Sequence, residues 1–382
     1  MKKKISQTFQ QFFNSEKNGS LLLFSCVILS LILANSVFTD NFSALLNKVI
    51  GFSSVKYSVA TWINDGLMAV FFLLVGLEIK REIITGELST FKKASLPVLA
   101  ALGGMFLPAL IFYTINKNTE TENGWGIPMA TDIAFALAII AVLGKSVPAS
   151  LKIFLAALAI ADDLGAILVI AVFYTDVIHW NYLLMAFGAF ALLLSFNFLK
   201  LKSIWIYLIV GILLWYFMHH SGIHATIAGV LLAFTIPAKS LTIHSPLEKL
   251  EHSLVKPVNF LIMPIFALAN TNITITKDIF TNLTSPLSLG IFLGLFLGKT
   301  LGVTLFSFIA VKLKLANLPT FASWKHIIGV GMLAGIGFTM SIFISMLSFE
   351  QTSHVNEAKF AILLTSVLAG IIGFTYLKSV KE

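Results

Sequence analysis

The sequence predicts an all-α polytopic membrane protein in which about twelve helices cross a bilayer. Of its 382 residues, 57% are hydrophobic and only 12% are charged, and the mean hydropathy is +0.91. Soluble domains carry about 25% charged residues, so this composition excludes an ordinary soluble protein. Apolar stretches recur along the whole chain with mostly short connections, and we therefore expect one integral membrane domain over residues 1–382.

The apolar stretches define the predicted spans. A helix rises about 1.5 Å per residue and needs roughly 20 residues to cross a bilayer. The chain begins with MKKK and an early apolar run, but further spans follow, so we interpret this segment as an uncleaved first helix. The predicted spans are 20–38, 59–77, 95–115, 124–144, 151–174, 182–199, 204–218, 223–237, 257–272, 287–311, 327–349 and 358–377.

The basic residues predict the orientation of these spans. With a cytoplasmic N-terminus, 20 of the 26 Lys and Arg residues fall on the inner side, five fall outside, and Lys299 lies within a span. This inward excess follows the positive-inside rule and accounts for the net charge of +8 without nucleic acid, because basic loops would face anionic lipid. The single cysteine, Cys26, allows neither an intrachain disulfide nor a thiolate metal site.

Two adjacent aspartates, Asp162 and Asp163, lie near the middle of the fifth predicted span. A charged residue at that depth costs about 2.5–3.5 kcal/mol even on the lenient insertion scale, so intramembrane acids usually mark a path for ions or protons. Burial and a neighbouring like charge both favour the protonated carboxyl, so the pair is suited to holding either protons or a cation, titrating as one coupled unit. The alternative is a structural pair satisfied by hydroxyls or water.

Two spans are predicted to be broken, and both breaks carry polar residues. The fourth contains Pro128 followed by Thr131 and Asp132, and the eleventh contains a glycine-rich run that ends in GIGFT at 335–339. Irregular backbone at membrane depth is tolerated only where protein or a water-filled cavity covers it. A pair of interrupted spans in matching positions of two halves points to a transporter site between inverted repeats. Thr131 and Asp132 would contribute to that site or simply cap a half-helix.

Further charged groups surround these features. Lys299 needs a partner at membrane depth, and an intramembrane aspartate is the obvious one, either as a bridge that opens with ion binding or as a static ion pair. Glycines recur every four residues beside it, from Gly290 to Gly302, and we interpret them as a helix-packing ridge. A cytoplasmic charge network that senses pH, or an ordinary solvated interface, would be formed by Glu78, Arg81, Glu82, Glu251 and His252.

The motifs resemble those of the NhaA-type bacterial sodium/proton antiporters over nearly the whole chain. The matching segments are AIADDLG at 159–165, ATDIAF at 130–135, GLEIKRE at 76–82 and GIGFTMS at 335–341. The resemblance implies twelve spans with inverted repeats and crossed, partly unwound fourth and eleventh spans in the inner membrane, with both termini cytoplasmic. It also implies export of sodium or lithium driven by proton entry, with no cofactor, and with more protons moved than cations.

The resemblance also implies roles for individual residues. Asp162 and Asp163 would bind the cation and exchange protons beside Thr131, while Asp132 and Lys299 would compensate the half-helix charges. The positions tied to pH regulation are Glu78, Arg81, Glu82, Glu251, His252 and His224. The segment 39–58 matches a region linked to dimer contacts, so a homodimer in membrane lipid is expected.

Three other functions use similar residues and remain alternatives. A passive cation channel would need a continuous pore, and a transporter of an organic solute would show competition in uptake. An intramembrane aspartyl protease also uses paired acids, but its aspartates come from two facing helices, whereas Asp162 and Asp163 adjoin on one. We therefore predict a transporter and not an enzyme, with sodium or lithium and protons as its substrates.

Overall fold

The computed structural model describes residues 2–52, 55–175, 177–238 and 245–380, and most of them are helical. Lys239 and Lys381, which the charge pattern placed on the inner side, lie outside these ranges. The α-helices are α1 (Lys2–Ala34), α2 (Thr39–Asn47), α3 (Val59–Thr61), α4 (Met68–Ile84), α5 (Phe91–Asn116), α6 (Ile133–Val142), α7 (Ala149–Phe173), α8 (Trp180–Phe198), α9 (Ile204–Ser221), α10 (Ile227–Thr235), α11 (Pro246–Pro257), α12 (Met263–Asn270), α13 (Lys277–Thr281), α14 (Pro286–Leu293), α15 (Lys299–Lys312), α16 (Trp324–Ala334), α17 (Phe338–Ser348) and α18 (Thr352–Ser379).

Other regular segments join these helices. The strands β1 (Val49–Phe52) and β2 (Val55–Ser58) form an antiparallel pair in which Val49 lies opposite Ser58. Segments of π-helix occupy Trp62–Leu67, Val258–Ile262 and Gly294–Gly298, and 3₁₀ segments occupy Glu122–Met129, Gly144–Ser146 and Asn282–Thr284. Segments of π-helix are rare and occur frequently at functional sites. The third of them ends directly before Lys299, and the first of the 3₁₀ segments replaces the start of the fourth predicted span.

The helices confirm a polytopic membrane fold. Within the described ranges, eight helices are long and apolar enough to cross a membrane, or up to ten if each bent pair is one span. The bent pairs are Asn18–Ala34 with Thr39–Asn47, at 113°, and α16 with α17, at 47°. The helices counted do not include the second and eighth predicted spans: 59–77 comprises α3, a π segment and part of α4, and 223–237 contains only the nine-residue α10. The count of twelve and the inverted repeat stay predictions.

The chain divides into two compact units, each assembled from segments that are distant in sequence. The first unit contains Met1–Leu21, Glu87–Ala166 and Ile273–Glu382. The second contains Leu22–Gly86 and Ile167–Asn272. All the intramembrane charged residues singled out above lie in the first unit, and the predicted pH-sensing residues lie in the second. One antiporter domain over residues 1–382 stays a prediction.

Glycines set the helix spacing of the first unit. A Cβ added to Gly302 of α15 would lie 2.1 Å from the carbonyl oxygen of Gly103 in α5, and one added to Gly298 would lie 2.8 Å from Cα of Pro108. The two backbones therefore touch, as small residues permit in membrane helix pairs. Gly294 packs against Pro128 in the same way, with an added Cβ 2.8 Å from its Cβ. This confirms the interpretation of the glycine ridge as a packing surface, and it brings Lys299 beside α5.

In the second unit, α4 and α10 are held by a similar close approach and by a lysine. A Cβ on Gly229 would lie 2.1 Å from the carbonyl oxygen of Ala69. At the other end of α10, Nζ of Lys80 donates to the carbonyl oxygens of Phe234, at 2.7 Å, and Ile236. A cation at a helix C-terminus is favoured by the helix dipole. Large apolar side chains on the outer faces of the unit are exposed, among them Leu184 and Ile209, as expected for surfaces that contact lipid.

Candidate functional site

The breaks in the fourth and eleventh predicted spans meet in the first unit. The fourth is a 3₁₀ segment to Met129 followed by extended residues to Asp132, and the eleventh is interrupted between Ala334 and Phe338. The backbone N–H of Asp132 donates to the carbonyl oxygen of Ile336 at 2.6 Å, and the Ser341 hydroxyl donates to the carbonyl of Ile127 at 2.7 Å. The predicted crossing of two broken helices is confirmed, and the freed backbone groups find partners across it.

Asp132 joins the N-terminal ends of two half-helices. Its Oδ1 accepts from the backbone N–H of Phe135 at 3.1 Å, which caps α6. Its Oδ2 accepts from the backbone N–H of Thr339 at 3.1 Å, in the first turn of α17, and from the Thr339 hydroxyl. A carboxylate is stabilised by the positive end of a helix dipole, and here one carboxylate serves two such ends. The charge compensation expected of Asp132 stays a prediction, and the structure places its carboxyl group at both helix ends.

Asp162 accepts from two groups at its Oδ2 atom. The Nζ of Lys299 contacts this oxygen, and both side chains are 0% exposed. The Thr131 hydroxyl lies 2.6 Å from the same oxygen and 2.9 Å from the carbonyl oxygen of Ala334. Because a hydroxyl has one proton, Thr131 donates to one of these acceptors at a time. The Oδ1 atom of Asp162 is buried and has no hydrogen-bond partner among the described residues.

Asp163 follows on the same helix and is only 3% exposed. The crossing thus holds two adjacent carboxyl groups, the hydroxyl of Thr131 and the ammonium of Lys299 in one buried region. Carboxylate and hydroxyl oxygens are the ligands that a hard cation prefers. The structure brings together the side chains of Thr131, Asp162 and Lys299 that the sequence singled out. The oxygen atoms that could bind a cation come from the break before α6 and from α7.

Gly104 makes room for Lys299. A Cβ at this position would lie 3.0 Å from Cγ2 of Val303, 3.7 Å from Cδ of Lys299 and 3.9 Å from its Nζ. The close approach of α5 and α15 therefore shapes the path along which the lysine side chain reaches Asp162. Sequence reasoning assigned no role to Gly104 or to Thr339. Thr339 was visible as the last residue of GIGFT, but nothing in the sequence indicated that Asp132 would be its acceptor.

The charged end of α4 forms a separate cluster in the second unit. Arg81 contacts Glu82 through Nη2 at 3.1 Å and Glu251 of α11 through Nε at 3.2 Å. Glu78 lies just beyond the predicted span 59–77 and is partly buried. The pKa of Glu78 is raised from 4.5 to about 8, mainly by burial and also by the neighbouring Glu251, while the charge of Arg81 lowers it. These four predicted residues are brought together.

The two histidines predicted to sense pH, His252 and His224, are not part of the ion pairs that Arg81 makes. His252 adjoins Glu251, but its side chain is exposed. His224 precedes α10, whereas Lys80, two residues from Glu78, contacts the other end of that helix. Nine helical residues rise about 13 Å, so His224 lies well away from the Arg81 cluster. The grouping of His252 and His224 with the acidic residues as pH sensors stays a prediction.

Comparison with known proteins gives a family for this fold and site. The profile of the family described as "Na+/H+ antiporter 1" matches residues 10–377. The chain is 57% identical over 379 residues to "Na(+)/H(+) antiporter NhaA 2" of Flavobacterium johnsoniae, covering 98% of this chain and 93% of that relative. It is 46% identical over 419 residues to "Na(+)/H(+) antiporter NhaA" of Helicobacter pylori, covering 98% and 95%.

A solved structure supports the same fold. The sodium proton antiporter MjNhaP1 from Methanocaldococcus jannaschii, at pH 8, matches with a TM-score of 0.54 over 97% of both chains. The sequence identity is 13%, so this likeness concerns the fold alone. The resemblance to NhaA-type proteins that the motifs indicated is confirmed by the family profile and by the full-length relatives. The chain belongs to the Na+/H+ antiporter 1 family.

Proposed function

We propose that this protein is a secondary active antiporter that exports sodium, or lithium, in exchange for protons through competition for the Asp162–Asp163 pair. The observation that carries the proposal is the buried contact between Lys299 and Asp162 beside a second buried acid. With both carboxylates ionised and the lysine charged, the group has a net charge of minus one. Adding either one sodium ion or one proton neutralises it, so the two compete for the same charge.

The contact with Lys299 adds a second exchangeable proton. A sodium ion that takes the oxygens of Asp162 would displace the ammonium from its carboxylate. An isolated buried ammonium is unstable, so Lys299 would lose a proton at that step. One cation would then release more than one proton, which is the unequal exchange implied by the motif resemblance. Thr131 would contribute its hydroxyl oxygen to the cation when it turns its proton toward the carbonyl of Ala334.

The Glu78 cluster supports regulation by pH. With a pKa of about 8, Glu78 is neutral at pH 7 and ionises in mildly alkaline conditions. Its charge would then be close to Glu251, so ionisation opposes the arrangement of α4 and α11 that the structure shows. We propose that this repulsion changes the arrangement of the two helices as the cytoplasm becomes alkaline. Arg81, Glu82, His252 and His224 would adjust the pH at which the change occurs.

The setting of the exchanger follows from the predicted orientation. We propose that it lies in the bacterial inner membrane with both termini in the cytoplasm and lipid around its apolar faces. The hairpin of β1 and β2 lies in the segment expected to make dimer contacts, and a homodimer is part of the proposal. Sodium, lithium and protons are its substrates, with no cofactor.

Sodium-induced proton movement in proteoliposomes tests the exchange mechanism. Wild-type protein should alkalinise or acidify the lumen according to the sodium gradient, and Asp163→Asn should abolish the signal. The matched control Asp40→Asn changes an exposed acid in α2 and should leave exchange intact. Full exchange by Asp163→Asn would overturn the competition mechanism. Sodium flux without any proton counter-flux would instead identify a passive channel.

A further inference from the structure

One helical run of the first unit contains an extra residue just before Lys299. The run consists of α14, the π segment Gly294–Gly298 and α15. At the start of the segment, the backbone N–H of Gly294 donates to the carbonyl oxygens of Gly290 and Ile291, four and three residues back. At its end, the N–H of Lys299 donates to the carbonyl oxygen of Gly294, five residues back. An α-helix bonds over four residues, so this turn holds about one residue more than an α turn.

The extra residue compensates for the spacing of the glycine ridge. Successive residues of an α-helix are about 100° apart, so a step of four residues exceeds a full turn by about 40°. Over the three steps from Gly290 to Gly302 the ridge would wind by about 120° in an uninterrupted α-helix. One additional residue in the π turn removes about 100° of this rotation. The rotation that remains is small enough for all four glycines to lie on one side of the run.

Contacts on both sides of the π segment show this alignment. A Cβ added to Gly290 would lie 2.4 Å from Nδ2 of Asn116, at the end of α5. Beyond the π segment, a Cβ added to Gly302 would lie 2.1 Å from the carbonyl oxygen of Gly103 in the same helix. The α14 and α15 helices therefore present one continuous face to α5. Lys299 is the first residue of α15, so the direction of its side chain follows from this alignment.

The π segment also contacts both broken spans. A Cβ added to Gly294 would lie 2.8 Å from Cβ of Pro128 in the fourth span. In the eleventh span, a Cβ added to Gly335 would lie 2.5 Å from the carbonyl oxygen of Leu295, and one added to Gly337 would lie 2.8 Å from its Cδ2. The Leu295 side chain is completely buried. The segment that precedes Lys299 is therefore packed against the crossing of the two breaks.

The contact between Lys299 and Asp162 depends on the extra residue. An α turn in place of the π turn would rotate α15 by about 100° relative to α14. If α14 kept its face on α5, Lys299 would leave its helix in a direction that no longer leads to Asp162. If α15 kept its position instead, Gly290 would turn away from Asn116. The glycine ridge and the buried ion pair form together only when the extra residue is present.

We propose that the π segment Gly294–Gly298 is the positioning element for Lys299, and that Leu295 fixes this segment to the eleventh span. The extra residue directs the ammonium group toward Asp162, and the packing of Leu295 against the break keeps the turn in place. A misdirected Lys299 would no longer give up its proton when sodium binds. That consequence for transport rests on the proposed function, whereas the positioning of the lysine does not.

Deletion of Leu297 from the full-length protein tests the role of the extra residue. Leu297 is 44% exposed, so its removal shortens the turn without emptying a buried site. Lys299→Met should shift the unfolding midpoint at least about threefold less in the deletion chain than in the wild-type chain, because a misdirected lysine has no ion pair to lose. Leu297→Ala keeps the number of residues and should retain the wild-type shift. An equal shift in the deletion chain would overturn the proposal.

A double-mutant cycle tests Leu295 without changing the length of the chain. Unfolding midpoints of Asp162→Asn, Lys299→Met and the double variant give the coupling within the pair, measured with leucine and with alanine at position 295. Leu295→Ala should reduce this coupling at least about twofold, and Leu295→Met, which nearly conserves the volume, should restore it. A purely structural role would lower all midpoints alike and leave the coupling unchanged, and that result would reject Leu295 as a positioning residue.

Sodium-induced proton release from the purified protein separates this proposal from the exchange mechanism. Wild-type protein should release more protons per bound sodium ion than Leu295→Ala, because only a lysine in contact with Asp162 is displaced by the cation. Equal release by the two proteins would contradict the link between positioning and transport. Absence of release from the wild type would reject the exchange mechanism, while the coupling measurements would still decide the positioning role.

Discussion

Lys299 and Asp162 form an ion pair in which both side chains are completely removed from solvent. Removing two charges from water costs several kcal/mol per ion, and this cost is recovered only when each charge has good partners. Asp162 has Lys299 and Thr131 at one oxygen, while its Oδ1 is unmatched among the described residues. This ion pair is suited to ion exchange, because a sodium ion or a proton can bind at the Oδ1 atom of Asp162, which lacks a partner among the described residues.

Replacement of Lys299 by Met should destabilise the protein strongly. Breaking a buried ion pair by removing one partner costs about 3–5 kcal/mol, because the remaining charge is uncompensated. Thermal unfolding in detergent at pH 7.5 measures the effect. The double variant Asp162→Asn with Lys299→Met should recover a large part of the loss, since neither charge remains. Additive losses in the double variant would show that the two side chains do not stabilise each other.

Replacement of Thr339 by Val should loosen the crossing of the broken helices. Asp132 would lose one of its three donors, the Thr339 hydroxyl, in a buried setting where an unmade hydrogen bond costs about 1–3 kcal/mol. Thr339→Ser keeps the hydroxyl and should stay close to wild type. Unfolding midpoints of the two variants provide the comparison. Equal stability of Val and Ser at this position would mean that the backbone N–H alone holds Asp132.

Glu78→Gln should change the pH dependence of stability in a defined window. The pKa of Glu78 is raised from 4.5 to about 8 in the folded protein, so an unfolded chain ionises this group first as pH rises. The unfolded state then binds fewer protons, and wild-type stability should fall between about pH 4.5 and 8. Glu78→Gln lacks this loss, so its advantage over wild type should grow through that window and level off above it.

Melting temperatures measured from pH 5 to 9 in the two proteins test the Glu78 prediction. Glu87→Gln is the matched control, since Glu87 contacts Lys93 near the surface with 43% of its side chain exposed. That variant should follow the wild-type curve. A constant difference between Glu78→Gln and wild type at every pH would contradict the assigned ionisation.

Two glycine substitutions should have opposite effects. Gly302→Ala would place Cβ 2.1 Å from the carbonyl oxygen of Gly103, so α5 and α15 must separate and Lys299 must move. Gly188→Ala in α8 meets no atom within 4 Å and should stabilise its helix by about 0.5–1 kcal/mol. Unfolding midpoints and sodium-dependent proton movement should both fall for Gly302→Ala alone. Unimpaired exchange in Gly302→Ala would show that the glycine contact does not position the lysine.

Much of the site was visible in the sequence because membrane burial makes each polar residue conspicuous. Asp162, Asp163 and Lys299 stood out against apolar surroundings, and Pro128 and the glycines of 329–337 marked the breaks. The stacking of Trp215 on Trp62 and His219 gave no such signal, because tryptophan and histidine are ordinary residues near a membrane surface. Trp62 and Trp215 come from segments more than 100 residues apart, so no local pattern links them.

The sequence by itself determined a helical membrane protein, the position of its two breaks, its intramembrane charges and its family. These follow from hydropathy and from residue types, which are local properties of the chain. The tertiary structure decided that Asp132 joins α6 to α17 through Thr339. It also decided that Lys299 and Thr131 contact the same oxygen of Asp162. The contact between His219 and Asp65 likewise appears only in the folded protein. Those contacts depend on the distance between helices that are far apart in the sequence. That distance is set by packing of side chains against glycine backbones, and no single segment of the chain determines it.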